Sequence, residues 1–259
     1  MRRTRSFRFA AWAALAALSL AAAAFSTTCA QDSAGEVPAT APPGSVSQPV
    51  RFTTADGLTL GGHLFGSGPS AVILTHMYPA DQTSWYPTAE RLADAGYRVL
   101  TFDFRGYGES QGDRQIDRID GDLAAALAYL RSAGAAEVVL VGASMGGTAA
   151  LAAAAEAQSL SSMRLAGVVT LSAPVEFKGL SAVEAVPRLV VPVLLIAAEE
   201  DAGAEGARRL ADLAGGPVEL RILPGDEHGT RLLEGDQAET VYGLVLEFLK
   251  ANLGAGGPH

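Results

Sequence analysis

Between Val50 and Gly254 two kinds of segment take turns along the chain, and few folds accept that alternation. Short apolar runs of β-type residues ("AVILTHM", "YRVLTFDF", "EVVLVGAS", "LAGVVTLSAP", "VPVLLIAAEED" and "VELRILPGD") are separated by longer stretches with helical spacing. Those stretches are "SWYPTAERLADAG", "RIDGDLAAALAYLRSAGA", "GTAALAAAAEA", "AEGARRLADLAG" and "AETVYGLVLEFLKANL". Strands that are apolar throughout are covered on both faces, and their alternation with helices implies a mainly parallel sheet between two helical layers. Several helical stretches run into a glycine, which suits a helix C-terminus. Ahead of them, "VRFTTADGLTLGGHLFG" sets Asp56-Gly57 between two alternating stretches, the pattern of an antiparallel hairpin. The predicted class is α/β: a mostly parallel central sheet with an N-terminal antiparallel hairpin and helices on both faces. In such sheets ligands bind beyond the carboxyl ends of the strands, so functional residues are expected just after the β runs.

The 259 residues, 49% hydrophobic and 18% charged, suffice for one packed domain, expected over 50–254. Residues 1–30 read as a secretory signal peptide: Arg2, Arg3, Arg5 and Arg8 precede an apolar run from Phe9 to Phe25, and Thr28-Cys29-Ala30 offers small residues for cleavage before Gln31. The run is shorter and more alanine-rich than the ~20 strongly apolar residues of a comfortable membrane span. Export to the periplasm or the extracellular space is therefore expected. Cys29, the only cysteine, offers a second outcome, a lipidated new N-terminus. Membrane contact is expected only through the signal or such an anchor. Residues 31–49, rich in Pro, Ala and Ser, suit a disordered linker, and 255–259 a disordered tail. Loss of the signal removes four arginines and no acid, moving the formal charge from -9 to -13, which argues against nucleic acid as a partner. Cleavage after Ala30 leaves no thiol for disulfides, thiolate catalysis or cysteine-ligated metals.

One serine stands out within this pattern. Gly142-Ala143-Ser144-Met145-Gly146 joins the run "EVVLV" to an alanine-rich helical stretch. A nucleophile on a tight strand-to-helix turn needs neighbours without bulk two residues to either side, and glycine supplies that. The first amides of the following helix favour negative charge at the turn, which makes the Met145 N–H a candidate oxyanion donor.

A serine hydroxyl needs a base. Of the four histidines, His259 ends the tail and His63 lies in the hairpin; His76 and His228 follow β runs. His228 is the better candidate, because a loop at the end of the last strand can carry an imidazole over the serine, whereas His76 is committed to its strand-end turn. The orienting carboxylate is expected from Glu199, Glu200 or Asp201 after "LLIAA". If the run stays extended, Glu199 and Asp201 share a direction that Glu200 does not. Asp201, farther into the loop and shorter, is preferred; Glu200 is its rival.

The elbow around Ser144 and the order Ser144, Asp201, His228, each at a strand end, resemble the α/β-hydrolase superfamily over roughly Val50 to Leu253. In detail the likeness is to lidless serine esterases with a dienelactone-hydrolase-like fold. "FDFRGYGES" resembles that superfamily's Asp-x-Arg-Gly-x-Gly-x-Ser loop, with Asp103 and Arg105 implied as structural ties. "LTHMYPADQTSW" occupies the place of the His-Gly-x oxyanion loop, which implies the Tyr78 N–H as the second oxyanion donor; Met77 stands where the family commonly has glycine. The family's cap, where present, lies between "VVTLSAP" and "VPVLLIAA". Here only "VEFKGLSAVEAVPRLV" joins them, a length for one short helix, so no large cap and an open site are expected.

The resemblance implies hydrolysis of small or medium carboxylic esters through an acyl-enzyme, with a small-molecule ester as the substrate partner and the oligomeric state left open. No cofactor and no metal are expected, since no nucleotide-binding glycine fingerprint or histidine-carboxylate ligand cluster is present. Aspartate in place of Ser144 would have implied dehalogenase or epoxide-hydrolase chemistry. Two alternatives stay open: a serine peptidase of the same fold, and a non-catalytic binding module on the same scaffold.

Overall fold

The computed structural model describes residues 47–254. The expected signal peptide with Cys29, most of the expected linker and the tail with His259 lie outside them. The chain begins with β1 (Gln48–Thr53) and β2 (Thr59–Phe65), antiparallel partners. Their turn is closed by the Leu58 N–H donating to Thr54 Oγ1 at 3.0 Å, and Gly57 takes φ +88° at its tip. Gln48 and Pro49, expected in the linker, already pair with Leu64 and His63.

There follow β3 (Ser70–Thr75), α1 (Tyr86–Asp94), β4 (Arg98–Phe102), α2 (Ile119–Ser132), β5 (Glu137–Ala143) and α3 (Met145–Ala157). After these come β6 (Arg164–Leu171), the two-residue strands β7 (Glu176–Phe177) and β8 (Leu180–Ser181), β9 (Val193–Ala198), α4 (Gly203–Leu213), β10 (Val218–Leu223) and α5 (Ala238–Asn252). The main sheet has eight strands in the order β1-β2-β4-β3-β5-β6-β9-β10. Pairing is antiparallel at β1–β2 and β2–β4 and parallel from β4 onward. From β3 the chain first builds outward to β4 and then returns to place β5 on the other side, so the strand order reverses there. Loops leave those neighbouring carboxyl ends in diverging directions, which opens a crevice.

The inner strands are apolar on both faces because each face is covered. Ile73, Leu100 and Leu140 join a buried cluster with Leu123, Leu127 and Leu130 of α2 and the alanines of α3. Val72, Val99 and Val141 join a second cluster with Leu92 of α1 and Val241, Val245 and Leu249 of α5. The α3 helix is buried almost all round, which its run of alanines permits, since small side chains let it lie close to the sheet. β10, at the sheet edge, is mostly exposed or half-exposed.

The segment between β6 and β9 differs from the expected short helix. Its residues form the β7–β8 hairpin and a single 3-10 turn at Val186–Arg188. Pro187 lacks the N–H that a longer helix would use, and Lys178 and Gly179 both take positive φ at the hairpin tip, +46° and +90°. At the C-terminal end Leu253 is buried, and the Gly254 carbonyl accepts from Ser70 Oγ at 3.2 Å. Among the described residues no helix is long and apolar enough to cross a membrane.

Candidate active site

β5 ends at Ala143 and α3 starts at Met145, so Ser144 alone makes the turn. It does so at φ +48°, ψ -117°, a conformation an L-residue adopts only when its surroundings enforce it. Its N–H donates to Leu171 O at 2.7 Å and its carbonyl accepts from the Thr148 N–H at 3.1 Å, which hold the turn to β6 and to the helix. The glycines are sterically required: a Cβ at Gly142 would collide with Gly146 O, and one at Gly146 with Thr75 O.

The loop after β10 brings His228 over this turn. His228 Nε2 lies 2.8 Å from Ser144 Oγ, and Nδ1 lies 2.9 Å from both Asp201 carboxylate oxygens. With Asp201 ionised, Nδ1 carries the proton and donates, which leaves Nε2 free to accept from the serine hydroxyl. The Asp201 side chain is buried, whereas that of His228 is 38% exposed, open to water and substrate. Gly203 makes room for the carboxylate, since a Cβ there would stand 2.6 Å from Asp201 Oδ2 and 2.7 Å from Ser172 Cβ. Glu199 and Glu200 are exposed and away from this contact.

Met145 is the first residue of α3, and its N–H has no helical partner, as at any helix start. Neither this amide nor that of Tyr78 donates to another protein group among the described residues. The Met77 side chain turns beneath the His228 loop: Thr230 Oγ1 is 3.8 Å from its sulfur, and a Cβ at Gly229 would stand 2.6 Å from it. The bulk at that position is thus taken up by a glycine with φ +61° opposite it.

His76 is fully buried, with Nε2 accepting from the Phe104 N–H at 3.1 Å and Nδ1 3.1 Å from Met77 O. Burial lowers its pKa, so it is held neutral as a brace between two loops. Asp103 accepts from the Gln82 N–H, Gln82 Nε2 and the Glu109 N–H at 2.8, 2.8 and 2.9 Å. The Arg105 guanidinium bonds Asp122 and Asp56, and the Asp122 bonds push its pKa above the usual value. Both residues fasten loops around the site. His63 sits on the hairpin beside Ser47 and Glu109.

Residues near the serine that the sequence reading passed over are Tyr107, whose hydroxyl is 4.0 Å from Met145 Sδ, and the β7–β8 hairpin, whose Phe177 ring is 5.6 Å from that of Tyr78. Tyr107 lies within "FDFRGYGES", of which the family likeness singles out only Asp103 and Arg105. Cavities of about 390 Å³ against α5 and about 350 Å³ between α2 and α3 do not touch Ser144. The site is therefore assigned from the side-chain contacts. Among the described residues no cluster of three or more His, Cys, Asp or Glu is arranged to hold a metal ion.

Residues 70–190 match the family described as alpha/beta hydrolase fold. The chain is 26% identical over 213 residues to the uncharacterized protein YfhR of Salmonella typhi, covering 78% of this chain and 70% of that one. It is 37% identical over 84 residues to bifunctional epoxide hydrolase 2 of Sus scrofa, which spans 32% of this chain and only 15% of the pig protein. Among solved structures, the Pyrococcus furiosus esterase Pf2001 superposes with a TM-score of 0.71 at 22% identity, covering 81% of this chain and 92% of that one. At that identity the likeness is one of fold. With its sheet, its switch-point crevice and its glycine-flanked turn, and with residues 70–190 matching that family, this chain has the α/β-hydrolase fold.

Proposed function

We propose that the chain is a serine hydrolase of small or medium carboxylic esters, with Ser144 as nucleophile, His228 as general base and Asp201 as its orienting acid. The observation that carries this reading is the continuous set of contacts from Ser144 Oγ through the His228 ring to Asp201, at 2.8 and 2.9 Å. In the first step Ser144 Oγ attacks the ester carbonyl while its proton passes to His228 Nε2. The Met145 and Tyr78 N–H groups receive the oxyanion. The tetrahedral intermediate collapses, the alcohol leaves with the proton from His228, and an acyl-serine remains. Water then gives its proton to His228 and attacks the acyl carbon; the bond to Ser144 Oγ breaks as His228 returns that proton to Oγ, which releases the acid and restores the hydroxyl. Asp201 keeps Nδ1 protonated and stabilises the imidazolium throughout.

Epoxide opening fits less well despite the epoxide hydrolases among the relatives, because the elbow carries a hydroxyl where that chemistry uses a carboxylate. The decisive experiment pairs a fluorophosphonate probe with p-nitrophenyl butyrate. Ser144 is expected to be the labelled residue, and a folded Ser144→Ala variant to lose both label and turnover. Normal turnover by that variant rejects the reading, and faster cleavage of aminoacyl amides than of esters reassigns it to a peptidase. The proposal extends to export, on the strength of residues 2–30. Mass spectrometry of the exported product is expected to find Gln31 first, or a lipid on Cys29; an intact Met1 inside the cell contradicts export.

A further inference from the structure

Two exposed cations sit over Tyr78 and Tyr107, and among the described residues no carboxylate pairs with either. Lys178, one of two lysines in the sequence, lies at the tip of the β7–β8 hairpin with Nζ 3.9 Å above the Tyr78 ring and 5.6 Å from that of Phe177. Arg114 lies with Cζ 4.4 Å above the Tyr107 ring, and its side chain makes one hydrogen bond, from Nε to Gly106 O. Both cations are exposed, and among the described residues neither has an acidic oxygen within ion-pair distance. Arg91, Arg118, Arg164 and Arg188, also exposed, are each paired with a carboxylate, whereas among the described residues Arg51, Arg131, Arg208, Arg209, Arg231 and Lys250 are exposed without one; what sets Lys178 and Arg114 apart is their seating on the Tyr78 and Tyr107 rings. Asp117, whose Cβ packs 3.2 Å from where a Gly179 Cβ would be, approaches the hairpin without pairing with Lys178.

The two rings that seat these cations belong to the site. Tyr78 follows His76 and Met77 on the loop expected to offer an oxyanion amide. The Tyr107 ring packs 4.8 Å from the His76 ring, and its hydroxyl meets the side chain of Met145, the residue after Ser144.

A ring face attracts a cation without neutralising it, so the ammonium and guanidinium keep their full charge toward solvent while their positions are restricted. On a chain of formal charge -9, which repels anions at long range, any attraction of an anion to these two cations is short-ranged.

We propose that the mouth of the site selects esters that carry a carboxylate, with Lys178 and Arg114 as the groups that bind it. The inference rests on the ester-hydrolase reading and narrows its substrate class. Two unneutralised charges a few ångströms from a carboxylate give a preference over a neutral isostere on the order of tenfold in kcat/KM. The preference is expected in KM, because the carboxylate is held equally in the ground and transition states.

The test uses the folded protein and two matched pairs. Monoethyl adipate against diethyl adipate puts the charge on the acyl side; 4-acetoxybenzoate against its methyl ester puts it on the alcohol side. The wild type is expected to prefer the anionic member of at least one pair, the pair preferred telling which side faces the cations. Added salt should erode the preference. Lys178→Met with Arg114→Gln is expected to abolish it through KM while turnover of the neutral esters is kept, and Lys178→Arg to retain it. A purely structural role for the hairpin lysine would instead lower both rates together. Equal rates on both members of both pairs, or a preference that survives the double substitution, overturn the inference. If no ester at all is turned over, the hydrolase reading fails, and binding of 4-acetoxybenzoate against its methyl ester to Ser144→Ala then decides the anion site alone.

Discussion

At the scale of single residues, the contact of the Asp201 carboxylate with His228 follows from where a strand stops. β9 ends at Ala198, and the Glu199 and Glu200 N–H groups bond to Leu223 O and Gly225 O, so both residues run alongside β10 and its following loop with exposed side chains. The Asp201 N–H then turns back to Ala198 O, and that turn delivers its carboxylate to His228. Asp201→Asn is expected to lower turnover of an activated ester by about 10³- to 10⁴-fold with little change in melting temperature, through the wrong imidazole tautomer. Glu200→Gln and Glu199→Gln should stay near wild type. Steady-state kinetics on the three variants checks this, and a crippled Glu200→Gln enzyme would move the acid one residue earlier. Alternation along an extended run pointed to Asp201, but the physical cause is the turn, which a periodicity argument does not see. The glycines beside Ser144 were legible because their reason is local. The Met77 side chain was not: its fit depends on Gly229, 152 positions away in sequence, and a contact of that kind is invisible until the chain is folded.

Among elements, the strands and main helices were readable because each buries an apolar face whose period appears in the sequence. The β7–β8 hairpin was not, since two-residue strands carry no period and the segment's helix-compatible residues outweigh one Lys178-Gly179 pair. The same scale holds the tie between the first hairpin, the loop after β4 and α2. Arg105, 2% exposed, bonds through Nε and Nη2 to Asp122, which is fully buried, and through Nη1 to Asp56 at the hairpin turn. Removing one partner leaves a buried cation half satisfied. Asp122→Ala is expected to cost about 3–5 kcal/mol of stability, read as the shift in urea-unfolding free energy. Joint replacement of Arg105 and Asp122 by apolar residues of similar volume should cost less than the single change, because no charge is then stranded. A single variant within about 0.5 kcal/mol of wild type would show that Asp56 alone supports the guanidinium.

For the molecule as a whole, His76 makes stability depend on acid. Its ring is packed against Phe104 and Tyr107, its Nε2 accepts from the Phe104 N–H, and the charged groups that bear on it are Asp103, Asp81 and Arg114. Desolvation outweighs the two carboxylates and lowers its pKa from the ordinary 6.5. The folded protein therefore keeps His76 neutral at pH values where the unfolded chain has already bound a proton there. Below about 6.5 the unfolded state holds more protons, so stability falls with pH by up to about 1.4 kcal/mol per unit from this group. The loss continues until the folded-state pKa is reached. Chemical unfolding at pH 7.5, 6.5 and 5.5 is expected to show this slope in the wild type and a shallower one in His76→Asn, whose side chain does not titrate. That variant will be less stable at every pH, since the Phe104 N–H loses its acceptor, but the slope is independent of the offset. Because His63 and His228 remain in both proteins, their contributions cancel in the comparison. Equal slopes would mean that His76 takes up its proton in the folded state as readily as in the unfolded one, and that the brace beneath the site does not depend on its being neutral.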